Sequence, residues 1–123
     1  MKEVRISEAE WEVMEVLWHR SPITAAEVIS SLEKTSWAPT TIRTMLTRLV
    51  EKRVLAMKKQ EDGLTFRPLV DREECVRRES ESFLERVFGG ATNPLLVHFV
   101  RRAKLSPDEV RELQKILRTK GKE

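Results

Sequence analysis

Around residue 54 the spacing of apolar side chains switches from helical to alternating, and near residue 71 it switches back. A segment so short, bracketed by helical patterns, has room for a single hairpin. The expected fold is therefore mainly α with one small β element. Two strands are expected, Val54–Lys59 and Leu64–Leu69, on either side of the turn signal Glu61-Asp62-Gly63. Proline has no N–H to give a ladder, so Pro68 confines the second strand to a sheet edge or stands at that strand's own end.

Three helices precede the hairpin. Ser7-Glu8-Ala9-Glu10 has the pattern of a capping box, in which serine and glutamate satisfy each other's free backbone N–H groups. Trp11, Val13, Met14, Leu17 and Trp18 follow at helical spacing, and Ser21-Pro22 ends this helix near His19. Thr24-Ala25-Ala26-Glu27 opens a short second helix with Val28, Ile29 and Leu32 facing inward. A third begins near Pro39, whose fixed φ suits a first helical turn, and buries Ile42, Met45, Leu46, Leu49 and Val50. Three helices and an immediate hairpin wing are the order of a winged helix-turn-helix, expected here over residues 1–73.

The remainder, residues 74–123, reads as three more helices. Asp71 is placed to cap the first, which carries Cys75, Phe83, Leu84, Val87 and Phe88 and stops at Gly89-Gly90. Asn93-Pro94 opens an apolar helix with Leu95, Leu96, Val97, Phe99 and Val100. Ser106-Pro107-Asp108-Glu109 opens the last, with Val110, Leu113, Ile116 and Leu117 as its stripe and a frayed end over 120–123. A segment of about 50 residues is below the size at which one core suffices, and no disulfide or metal cluster staples it. Its aromatic and aliphatic side chains nonetheless demand burial. A homodimer held by residues 74–119 is the simplest answer, and packing against the chain's own first domain is the alternative.

Composition excludes more than it selects. With 35% charged and 40% hydrophobic residues, the chain is of ordinary globular type. No apolar run approaches the roughly 20 residues that span a bilayer, so no membrane insertion is expected. Residues 1–5 hold no signal-peptide core, and Cys75 is the single cysteine, both consistent with a cytoplasmic protein. The net charge of +3 hides a segregation. Residues 1–33 hold three Lys/Arg against seven Asp/Glu, whereas residues 34–70 hold eight against three. Such a basic segment suits a nucleic-acid face, although chance patterning on solvated helices gives the same sums.

At 100° per residue, the face of the third helix opposite its core stripe holds Thr40, Thr44, Thr47 and Glu51, flanked by Thr41, Arg43 and Arg48. Threonine is a poor helix former, so a run of it on an exposed face asks for another reason. Double-stranded DNA supplies one: threonine bonds base edges or packs its methyl on thymine, and arginine reaches guanine or phosphate. An ordinary polar face is the competing reading. Lys52, Arg53, Lys58, Lys59 and Arg67 extend the basic surface across the helix end and hairpin, where they would hold phosphates without reading sequence.

Three stretches also carry a family resemblance. They are Ser7 to Met14 with Trp18, then Trp37-Ala38-Pro39-Thr40-Thr41-Ile42-Arg43-Thr44-Met45-Leu46-Thr47-Arg48-Leu49, and Val97-His98-Phe99-Val100 with Leu105-Ser106-Pro107-Asp108-Glu109 and Leu113. Together they resemble the BlaI/MecI family, the penicillinase repressors of bacteria. The resemblance implies a winged-helix domain, a C-terminal dimerisation domain and a homodimer on a two-fold symmetric operator. It also implies derepression by a sensor-linked protease, with the scissile bond at His98-Phe99. The chain departs from the family in two places. Ala38 stands where serine is frequent, which removes a helix cap, and His98 stands where the cleaved bond usually has asparagine. A pocket built for an asparagine side chain pairs poorly with imidazole, so release of DNA by another signal is expected.

An enzyme finds no support. His19 and His98 have no partners at metal-ligand spacing, no nucleophile–base–acid set suggests itself, and the four glycines form no phosphate loop. Neither a metal nor a cofactor is expected. Trp11, Trp18 and Trp37 are read as core or interface anchors, and Cys75 as a small structural residue. Two rivals remain: a winged-helix module that binds an acidic protein surface, and a regulator that responds to a small molecule held between the two lobes.

Overall fold

The computed structural model describes residues 5–122 and divides into two compact units, one ending at Arg78 and one beginning at Glu79. The division lies inside a helix, five residues past the end of the expected winged-helix segment 1–73. The first unit contains α1 (Glu8–His19), β1 (Ile23–Thr24), α2 (Ala25–Ser31), α3 (Pro39–Glu51), β2 (Leu55–Gln60) and β3 (Gly63–Pro68). Helix α4 (Arg72–Phe88) spans the division, and α5 (Thr92–Arg102) and α6 (Pro107–Gly121) complete the second unit. The fold class is the expected one, mainly α with a small sheet.

Local chemistry explains the helix starts. Ser7 and Glu10 close a capping box on α1, Thr24 and Glu27 on α2, and Ser106 and Glu109 on α6. Helix α3 begins at Pro39 behind an N-cap, Ala38, that makes no side-chain bond. Val13, Met14 and Leu17 of α1, Val28 and Leu32, Ile42, Met45, Leu46 and Leu49 of α3, and Val54, Leu55 and Phe66 form the core. Burying each such side chain contributes about 1.5–3 kcal/mol, which is why the stripes read in the sequence decide how these helices face. Trp18 packs on this core and donates from Nε1 to the Val70 carbonyl at 3.0 Å, fastening the end of the hairpin to α1.

Four expectations need correction. The sheet has three strands in the order β1-β3-β2, because Ile23 and Thr24 pair antiparallel with Phe66 and Thr65. The second hairpin strand is thus central, and of the two places expected for Pro68 it takes the strand's own end. Pro68 is tolerated because it closes the strand opposite Leu55, beyond the reach of β1. The hairpin keeps Lys59 opposite Leu64 but has a tighter turn than expected: Gln60 pairs with Gly63, so Glu61 and Asp62 form the turn and Gly63, at φ +115°, starts β3. Helix α5 starts at Thr92 with an uncapped N-cap, Ala91, so Asn93 and Pro94 fall within its first turn. Finally, α6 continues through Gly121 where fraying was expected, while Glu123 and residues 1–4 lie outside the described residues.

The second unit has no comparable core. Neither α5 nor α6 contains a buried residue. Phe99 and Val100 are each 54% exposed, Leu96 51%, Ile116 50% and Leu117 63%. Phe83, Val87, Val97, Val110 and Leu113 are exposed too, whereas Leu84, Phe88 and Leu95 are half-buried.

Candidate nucleic-acid interface

Helix α3 presents the expected two faces. Ile42, Met45, Leu46 and Leu49 are buried, and Thr40, Thr41, Arg43, Thr44, Thr47 and Arg48 are all exposed. The threonines carry a detail that spacing alone does not show. Thr44 donates its hydroxyl to the Thr40 carbonyl at 2.9 Å, and Thr47 donates to the Arg43 carbonyl at 3.0 Å. A hydroxyl has one hydrogen, so both side chains keep only acceptor lone pairs and a methyl for an outside partner. That chemistry matches the exocyclic amines of adenine and cytosine and the methyl of thymine.

The hairpin divides its cations between two faces. Side chains alternate along a strand, so the pairs Ala56–Arg67 and Lys58–Thr65 put Lys58 and Arg67 on one side. Lys59 shares the other side with Met57, Leu64 and Phe66. That side lines a cleft of about 550 Å³ against Arg43, Leu46, Thr47 and Val50 of α3. Met57 and Leu64 are half exposed in it. Sequence reasoning left both out of the site, although strict alternation in β2 already separates Lys58 from Lys59.

Lys52 is placed differently from its neighbours. Its Nζ donates to Glu10 Oε1 at 2.6 Å and to the Arg5 carbonyl at 2.9 Å, which commits its charge within the domain and draws it away from a phosphate. Glu10 is buried, and its Oε2 has no hydrogen-bond partner among the described residues. Burial opposes ionisation of this carboxyl. The hydrogen bonds from Lys52 and from Ser7 outweigh it, so Glu10 ionises below its ordinary range. Arg53, next along, is exposed and has a left-handed backbone at φ +63°.

A three-helix lobe with an exposed threonine–arginine helix and a basic hairpin beside it is a winged-helix DNA-binding domain. Comparison with known proteins extends this class to the particular lineage. The family model described as Penicillinase repressor matches residues 6–119. The penicillinase repressor of Bacillus licheniformis is 41% identical over 119 residues, covering 95% of this chain and 93% of that protein. The methicillin resistance regulatory protein MecI of Staphylococcus aureus (strain N315) is 36% identical over 120 residues, covering 97% and 98%. The solution structure of the Bacillus licheniformis BlaI monomeric form in complex with the blaP half-operator superposes with a TM-score of 0.52 at 45% identity, over 60% of this chain and 93% of that one. The DNA-binding domain of BlaI alone gives 0.53 with the same identity and coverage. This chain belongs to the penicillinase repressor family, and it is a DNA-binding repressor, not an enzyme. No helix among the described residues is long and apolar enough to cross a membrane.

Proposed function

We propose that the chain represses transcription as a homodimer, each protomer placing α3 in the major groove of one half of a two-fold symmetric operator. The observation that carries this reading is the contrast between the units. The first has a complete core and an exposed reading helix, whereas the second leaves Leu96, Phe99, Val100, Ile116 and Leu117 half exposed or more. A second copy of the same helices is the cover that symmetry supplies most simply. On this reading Thr40, Thr44 and Thr47 meet base edges with Arg43, while Arg48, Lys58, Lys59 and Arg67 hold phosphates. Half-site centres then lie about one helical turn, or a multiple of it, apart. Similarity to the penicillinase repressor and to the methicillin resistance regulatory protein MecI supports a β-lactamase-type or related regulon.

Derepression follows from separating the protomers. The His98–Phe99 bond lies within α5, where the Ala103 N–H donates to the Phe99 carbonyl at 2.8 Å, so a protease reaches it only after local opening. Cutting there would detach α6 from the dimer. Since His98 fits a pocket for asparagine poorly, we assign release to a signal other than cleavage at this bond. Selection of bound sequences from a random duplex pool tests the function itself. A palindromic consensus with steep salt dependence is expected. A consensus without two-fold symmetry, or tighter binding to an acidic protein than to duplex, would overturn it.

A further inference from the structure

Arg53 is the one described non-glycine residue with a positive φ, +63°. It lies just past the end of α3, where the Val54 N–H donates to the Leu49 carbonyl at 2.9 Å and the Arg53 N–H to the Val50 carbonyl at 3.0 Å. This paired loop-back ends a helix on a left-handed residue, a position that glycine occupies without steric cost. Arginine is strained there because its Cβ crowds the following carbonyl. The side chain offers no internal compensation, since it is exposed and its guanidinium makes no hydrogen bond or ion pair among the described residues.

The conformation is enforced from both sides. Before it, Lys52 is tied to Glu10 and to the Arg5 carbonyl. After it, Val54 and Leu55 are buried in the core, and the Leu69 N–H donates to the Val54 carbonyl at 2.8 Å. Strain that neighbours over-determine marks a position kept for what its side chain does. With Lys52 committed to Glu10, Arg53 is the cation that the junction of α3 and the hairpin offers to an outside anion. A guanidinium there has the fork geometry that matches two phosphate oxygens.

We propose that Arg53 is a DNA-backbone anchor, a strained arginine that grips a phosphate where α3 meets the hairpin and so fixes how the reading helix sits in its groove. The inference rests on the DNA-reading role of α3 argued above. It makes an unusual demand: stability and binding must move in opposite directions. Arg53→Gly relieves the strain and is expected to raise the melting midpoint by several degrees. The same change should weaken binding to a mixed-sequence duplex roughly tenfold at low salt, with a salt slope shallower by about 0.9 per protomer. Arg53→Ala removes the charge and keeps the strain, so it should lose the same affinity with no gain in melting point. Arg53→Lys should retain the slope. Glycine and alanine variants that bind with unchanged affinity and slope, while Lys58→Ala binds more weakly, would overturn the anchor and leave the role of α3 standing. A wild-type protein that binds duplex without salt dependence, or not at all, would overturn both.

Discussion

Replacing Lys52 by methionine separates a structural cation from a DNA-binding one. The change keeps the length of the side chain and removes the 2.6 Å bond to Glu10 and the 2.9 Å bond to the Arg5 carbonyl. Glu10 is then left buried with the Ser7 N–H as its remaining donor. Breaking a fully buried ion pair from one side costs about 3–5 kcal/mol. Here the Lys52 side chain is 37% exposed, so water already screens the pair and about 2 kcal/mol is expected. For a unit of this size that is roughly 10 °C in melting midpoint. Glu10→Gln should cost less, about 1 kcal/mol, because an amide still accepts from Ser7 and Lys52 is free to reach water. Adding Lys52→Met to Glu10→Gln should then cost little more, which a double-mutant cycle reads as coupling. Tryptophan fluorescence follows this melt, since Trp11, Trp18 and Trp37 all belong to the first unit. The pH dependence has a definite sign. Burial raises the Glu10 pKa but the Lys52 and Ser7 bonds lower it further, so the pair stabilises the fold above the ordinary carboxyl range. That contribution disappears as pH falls through the lowered folded value, and the deficit of Lys52→Met should shrink with it. An acid limb persists in Glu10→Gln, because Glu27, Glu74 and Glu109 also ionise below their ordinary range through bonds to Thr24, Arg77 and Ser106 respectively. A Lys52→Met protein within about 0.5 kcal/mol of wild type at neutral pH would refute the reasoning.

Phe99→Asp should move the sedimenting mass from about twice the monomer towards the monomer, weakening association a hundredfold or more by removing one aromatic from each copy. A wild-type protein that is monomeric at micromolar concentration would refute the dimer. Lys58→Ala and Arg48→Ala should weaken binding to all duplexes alike and flatten the salt slope, whereas Thr44→Ala and Thr47→Ala should change which sequences are preferred. Equal behaviour of the two groups in a binding-site selection would dissolve the division between phosphate and base contacts. Blotting of cells after β-lactam exposure should show no fragment ending at His98, and its appearance would restore cleavage as the route of release.

What the sequence discloses follows the range of the interaction responsible. Capping is settled within four residues, and the starts of α1, α2 and α6 fall where Ser7, Thr24 and Ser106 place them. The buried stripe of α3 is equally local, because 3.6-residue spacing decides which side of a helix is apolar. Strand β1 is different. Ile23 and Thr24 become a strand only by meeting Phe66 and Thr65, and two residues carry no alternation to read. Lys52 is a similar case: composition counts it as a basic residue, but its partner lies 42 positions back. The left-handed backbone of Arg53 had no local signal at all, since glycine is the usual marker of that conformation and is missing here.

If two copies pair through the second unit as proposed, the division of labour between the units sets how tightly DNA occupancy can be controlled. A single reading domain binds one half-site with modest affinity, and linking two converts the second contact into an intramolecular one. With a half-site constant of about 1 μM and an effective concentration of about 1 mM, the linkage tightens occupancy roughly a thousandfold. In the proposed dimer, all of that gain depends on the apolar surface of α5 and α6, and none of it on the threonines and arginines of α3. Changes on the reading helix therefore redirect the protein to other sequences, which is a slow and irreversible way to regulate. A change that breaks the proposed pairing over Leu96, Phe99 and Val100 would instead lower occupancy at every operator at once, and leave the reading helix intact for reassembly. On that proposed arrangement an inducing signal would have its largest leverage on the second unit, where the apolar side chains of α5 and α6 are exposed.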